Sequence, residues 1–107
     1  MDIVINGLKA ELSENKLYRG AGMVSGNNSS RLLLDYKAEN PKAYWEILNC
    51  LFGDEGVGIN HLKLEMGSDV NSSSGTEPCV MRTETEKPDV TRGAGYQLAA
   101  DALTVNP

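Results

Sequence analysis

Residues 20–26 and 59–66 both read as strands that run out into loops of Gly, Asn, Ser and Asp; one amphipathic helical pattern lies between them and another follows the second. Strand, helix, strand, helix in that order predicts parallel α/β structure, because each helix returns the chain to the start of a neighbouring parallel strand through a right-handed crossover. The first helix is well bracketed. Asn40 is a good N-cap, Pro41 takes the first helical position and Gly53 lies just past the end. Tyr44, Ile47, Leu48 and Leu51 follow at i, i+3, i+4 and i+7, widened by Trp45 and Phe52 into one apolar face. The second helix spans about residues 95–105, with Leu98, Ala99, Ala102 and Leu103 on one side. Ahead of all this, Ile3, Val4 and Ile5 form a short strand meeting an Asn6-Gly7 turn. The stretch from Gly26 to Arg31 is expected to be a loop, since Asn27 to Ser30 carries no apolar periodicity.

The chain has 107 residues, enough for one small domain, and 40% apolar content supports a core. A net charge of -5 leaves no basic stripe interleaved with aromatics, so nucleic acid is excluded as a partner. No apolar run approaches the length of a membrane span, and residues 1–20 lack the basic start and apolar middle of a signal peptide. Cys50 and Cys79 are too few for a disulfide scaffold and have no metal-ligand spacing. Cys50 falls in a helical pattern and Cys79 in a loop far from the single imidazole, His61, so both read as structural thiols.

The alternating segment Leu62-Lys63-Leu64-Glu65-Met66 ends in Gly67-Ser68-Asp69, and Gly75-Thr76-Glu77-Pro78 follows. A strand that opens into hydroxyls, amides and carboxylates is how α/β enzymes build a site for a polar ligand. Glu65, Asp69 and Glu77 have the chemistry of a glycosidase acid/nucleophile pair, whose carboxyl groups stand about 5–5.5 Å apart in retaining enzymes. The alternative reading is solvated loop charge or inward-facing polar support, and none is assigned a catalytic role. The hydroxyls of Ser72, Ser73, Ser74 and Thr76 suit a sugar as well as an ordinary polar loop. Gly20, Gly22 and Gly26 imitate a dinucleotide fingerprint, but neither a buried strand before them nor a periodic helix directly after them completes it.

The ordered set Gly22-Met23-Val24-Ser25-Gly26, Ser30-Arg31-Leu32-Leu33, Leu62 to Asp69, Gly75-Thr76-Glu77-Pro78 and Arg92-Gly93 resembles the start of galactosylceramidase-type glycoside hydrolases, family 59. The resemblance implies a TIM (β/α)8 barrel. Residues 20–107 would supply its first two βα units, truncated before the third strand, while residues 1–19 would hold a strand belonging to a β-sandwich and its connection. It further implies removal of β-linked galactose from galactosylceramide or a related β-galactoside with retention, by two glutamates that lie outside these residues, and with no metal or cofactor. A threonine three positions before that of the Gly-Thr-Glu-Pro block binds galactose in the family; Ser73 takes its place here, keeping the hydroxyl and losing the methyl. Ser25 and Gly26 would lie beside the same pocket. Cys79, Asn27-Asn28 and Ala94-Gly95-Tyr96-Gln97 depart from the family pattern and put the natural substrate in doubt.

The resemblance thus predicts a fragment inactive by itself, whose partners are a galactolipid or β-galactoside and the remainder of its own barrel, in an extracellular or lysosomal setting. Two units without neighbours would be marginal, molten or dimeric, because a closed barrel takes about 250 residues. The rival is a free-standing α/β sugar- or phosphate-binding module without catalysis.

Overall fold

A computed structural model of the chain describes residues 19–72 and 74–107. The expected strand at residues 3–8 and the expected sugar contact Ser73 lie outside them. In chain order the elements are β1 (Ala21–Ser25), α1 (Asn27–Glu39), α2 (Pro41–Phe52), β2 (Ile59–Leu64), β3 (Asn71–Ser72), β4 (Gly75–Thr76) and α3 (Ala94–Val105). The described residues therefore make a mixed α/β unit.

β1 and β2 pair in parallel, with Gly22 opposite His61, Met23 opposite Leu62 and Ser25 opposite Leu64. The pleat sends Met23 and Ser25 of β1 and Leu62 and Leu64 of β2 to one face, where the helices cover them. Val24 and Lys63, paired on the other face, stay exposed. Gly22 is needed on that side, since a Cβ there would stand 2.9 Å from the His61 Cβ. A separate antiparallel ladder joins β3 to β4, Asn71 to Thr76 and Ser72 to Gly75.

The crossover differs from expectation. It contains two helices, because α1 begins at Asn27, where a loop was predicted. Its opening Asn-Asn-Ser-Ser has weak helix propensity, no first-turn acid and no capping side chain of its own. What holds this end is distant in sequence: the Asn27 N–H donates to Glu65 Oε2 at 2.6 Å. α2 matches its sequence signals, with the Asn40 side chain accepting from the Ala43 N–H at 3.2 Å and Pro41 opening the helix.

Tyr44, Leu48 and Phe52 of α2, Ile59 of β2, and Leu98 and Ala102 of α3 form the core, with Met23, Leu33 and Leu62 packed against it. Small residues let α3 approach: Ala94, Gly95 and Ala102 are all buried. One polar knot joins the three helices. Asp101 Oδ2 on α3 accepts from the Tyr44 hydroxyl of α2 at 2.6 Å and from Lys37 Nζ of α1 at 2.7 Å. Lys37 Nζ also stands 5.6 Å from the ring centres of both Tyr44 and Trp45. Burial, with the Asp101 hydrogen bond and charge adding, pushes the Tyr44 phenol well above its ordinary range and keeps it neutral as a donor.

Leu48 is fully enclosed. Leu48→Ala is therefore expected to cost about 2–5 kcal/mol of folding free energy, read as a lowered urea midpoint with an unchanged denaturant slope.

Candidate functional site

The loops that follow β1 and β2 meet at one end of the small parallel sheet, and the amino termini of α1 and α3 come to the same place. Gly26 turns the chain from β1 straight into α1. Its close neighbours come from the other loop, since a Cβ built on it would lie 3.1 Å from the Ser74 Cβ and 3.6 Å from Glu65 Oε2. The Asn28 N–H donates to the Ser74 carbonyl at 3.0 Å. Gly75 has φ +92, a left-handed conformation that calls for glycine, and it lies against the side-chain oxygen of Asn28.

Two carboxylates organise this end around Asn27. Glu65 takes the backbone N–H, as described, and Glu77 Oε2 accepts from the Asn27 side-chain amide, Nδ2, at 2.6 Å. Glu77 is 4% exposed, and its backbone carbonyl accepts from the N–H groups of Ser68 and Asp69. Its second oxygen, Oε1, is buried without a hydrogen-bond partner. That oxygen faces the start of α3: a Cβ on Gly93 would come within 2.6 Å of it and one on Gly95 within 3.7 Å. The positive end of the α3 dipole there favours a carboxylate. Buried in this way, Glu77 is turned inward, which is the polar-support geometry of the three readings weighed for it.

Ser25 is 1% exposed, and its hydroxyl exchanges a 2.7 Å hydrogen bond with that of Ser30, itself buried in the first turn of α1. Gly26 is half-buried at the junction of the two loops. The structure thus brings Ser25 and Gly26 to the strand end where the site was expected, with the Ser25 hydroxyl engaged internally. Asn27 is the residue that sequence reasoning passed over. It looked like a loop substitution, and only the distant pair Glu65 and Glu77 reveals its part.

Asp69 has a separate task. Its φ of 55 is a left-handed conformation that aspartate tolerates. Its carboxylate accepts from the Cys79 N–H at 3.2 Å and, through both oxygens, from Arg82 Nε and Nη2 at 2.8 Å each. Beyond it, Glu86 Oε2 accepts from the Arg82 N–H at 2.6 Å, Glu86 Oε1 pairs with Arg92, and Arg92 Nε lies 3.5 Å from Asp89 Oδ2. Hydrogen bonds from Arg82 lower the Asp69 pKa to about 2, and those from Arg92 and the Arg82 backbone lower that of Glu86 to about 2. Burial, with the Asp69 charge adding, raises the pKa of the Cys79 thiol, which keeps it from acting as a thiolate. Among the described residues no group of His, Cys, Asp and Glu is arranged to hold a metal ion, and no helix is long and apolar enough to cross a membrane.

Glycosyl hydrolase family 59 matches residues 18–107 of the chain. Galactocerebrosidase of Mus musculus is 38% identical over 93 residues, which cover 84% of this chain and 13% of that protein. The Homo sapiens enzyme of the same name is 36% identical over 93 residues, again 84% and 13% of the two chains, and that of Salmo salar is 36% identical over 87 residues, 80% and 12%. No solved structure matches significantly. The chain belongs to glycosyl hydrolase family 59, and spans about an eighth of the length of these curated relatives.

Two outcomes follow from this geometry. Gly93→Ala should displace the Glu77 carboxylate and lower the melting temperature, whereas Ala at exposed Gly58, where a Cβ meets nothing within 4 Å, should cost only the strain of its φ of +65. Asp69 and Glu86 have pKa values lowered on folding, so their stabilising contribution is present above the unfolded carboxylate range near pH 4 and is lost as pH falls towards about 2. Side-chain carboxyl ¹³C shifts should show both midpoints near 2; midpoints near 4 would mean the ion pairs are not formed in solution.

Proposed function

We propose, from membership of family 59, that this chain is the amino-terminal portion of the catalytic domain of a retaining glycosidase that removes β-linked galactose from a galactolipid or related β-galactoside. The match across residues 18–107 carries the reading, together with relatives that bear the name galactocerebrosidase. In this reading β1, β2 and their helices are the first two βα units of a (β/α)8 barrel. The parallel pairing of β1 with β2 and the gathering of both following loops at one sheet end support that assignment, since barrel enzymes place their sites at the carboxyl ends of their strands.

The division of labour follows from the carboxylates. As the family resemblance implies, the acid and the nucleophile are glutamates outside these residues; the engagement of Glu65 and Glu77 by Asn27, and of Asp69 by Arg82 and Cys79, supports that reading. The part proposed for these residues is to hold the sugar: Ser73 as a hydroxyl partner of galactose, with Gly26 and the end of β1 at Ser25 flanking it. A hollow of about 350 Å³ lies between β2 and α3, lined by Ile59, Leu62, Ala99 and Leu103 among others, where the remainder of the barrel would pack.

The natural protein that carries these residues should hydrolyse a chromogenic β-galactoside, while the 107-residue chain alone should not. Turnover by the chain alone would overturn the division of labour, and failure of the natural protein on every β-galactoside tried would overturn the substrate class.

A further inference from the structure

We infer that Asn27 and Glu77 form a positioning clamp, which locks the loop after β2 onto the first turn of α1 and thereby sets the edge of the ligand site. The inference deepens the galactoside-binding reading and rests on it for the identity of the ligand.

Three observations meet at these residues. First, Asn27 is held twice, its backbone N–H by Glu65 and its amide Nδ2 by Glu77, each at 2.6 Å. A residue held through both its backbone and its side chain has little freedom left. Second, Glu77 is 4% exposed, so its hydrogen bond is made where an unsatisfied partner is costly. Third, the contacts that bring the two loops together surround this bond: Asn28 N–H on the Ser74 carbonyl, Gly26 against Ser74, and Gly75 against the side-chain oxygens of Asn27 and Asn28.

The direction of the bond matters. The amide of Asn27 donates and the carboxylate accepts, and the idle oxygen of Glu77 lies against Gly93 at the α3 amino terminus, where negative charge is favoured. Aspartate at position 27 would oppose two carboxylates, whereas alanine would only remove the donor. Exchanging the pair, Asn27→Asp with Glu77→Gln, restores one donor and one acceptor across the same gap. A residue that merely fills space would not respond to such an exchange.

The test uses the natural protein that carries these residues, with two readouts on the wild type, Asn27→Ala, Asn27→Asp and the exchanged double variant. Hydrogen-exchange mass spectrometry follows peptides covering the first turn of α1 and the β3–β4 ladder, with the α2 core as internal reference. Ligand-observed NMR titration gives the galactose dissociation constant. Both single variants should exchange faster at the α1 start and the ladder but not in α2, and should bind galactose about tenfold more weakly, the equivalent of one lost hydrogen bond of this kind. The double variant should recover both to within about threefold of wild type.

Unchanged exchange in both single variants overturns the clamp. Faster exchange with unaltered galactose affinity overturns its coupling to the ligand, and so does failure of the double variant to recover binding. Absence of galactose binding by the wild type refutes the functional reading separately, and the clamp is then decided by the exchange data alone.

Discussion

A carboxylate buried where two helices begin is the constraint around which this molecule is arranged. A polar side chain taken out of water is tolerated only when hydrogen-bond partners or dipoles replace the lost solvation. Glu77 finds a donor in the amide of Asn27, while its other oxygen lies against the start of α3, toward the positive end of the helix dipole. Meeting that need dictates much else: Gly93 must lack a side chain, Asn27 must point inward, and the loop after β2 must fold back to deliver position 77 to the β1 end. The block Gly75-Thr76-Glu77-Pro78 is therefore a structural joint.

Much of the framework was legible in the sequence because its signals are local. Asn40, Pro41 and Gly53 bracket α2 at the observed bounds, and the apolar spacing of Tyr44, Leu48 and Phe52 identifies its buried face. Strand β2 is visible by alternation, and α3 by Leu98 and Ala102. What was not legible is non-local. No pattern within Asn27-Asn28-Ser29-Ser30 announces a helix, because its amino terminus is completed by Glu65, 38 positions away. Leu103, assigned to the apolar side of α3, is 62% exposed, since the described residues place nothing over that part of the helix.

The site followed the same division. The fold class predicts loops beyond the strand ends, and Ser25 closes β1 with Gly26 next in line. The engagement of the Ser25 hydroxyl with Ser30 depends on α1 beginning one residue after Gly26, which was the element missed. Likewise Glu65, Asp69 and Glu77 formed one acidic group by chain order, yet the fold separates them. Two serve Asn27, and the third turns outward to Arg82.

The knot at Asp101 has a bearing on how this protein can drift over generations. Because Tyr44 and Lys37 share a single oxygen of Asp101, replacing the aspartate leaves the buried Tyr44 phenol without its acceptor and takes the ion pair from the water-accessible Lys37 in one step, whereas replacing Lys37 leaves the Tyr44 bond intact. A change at position 101 therefore touches all three helices at once, whereas a change at Lys37 takes away one of the two bonds.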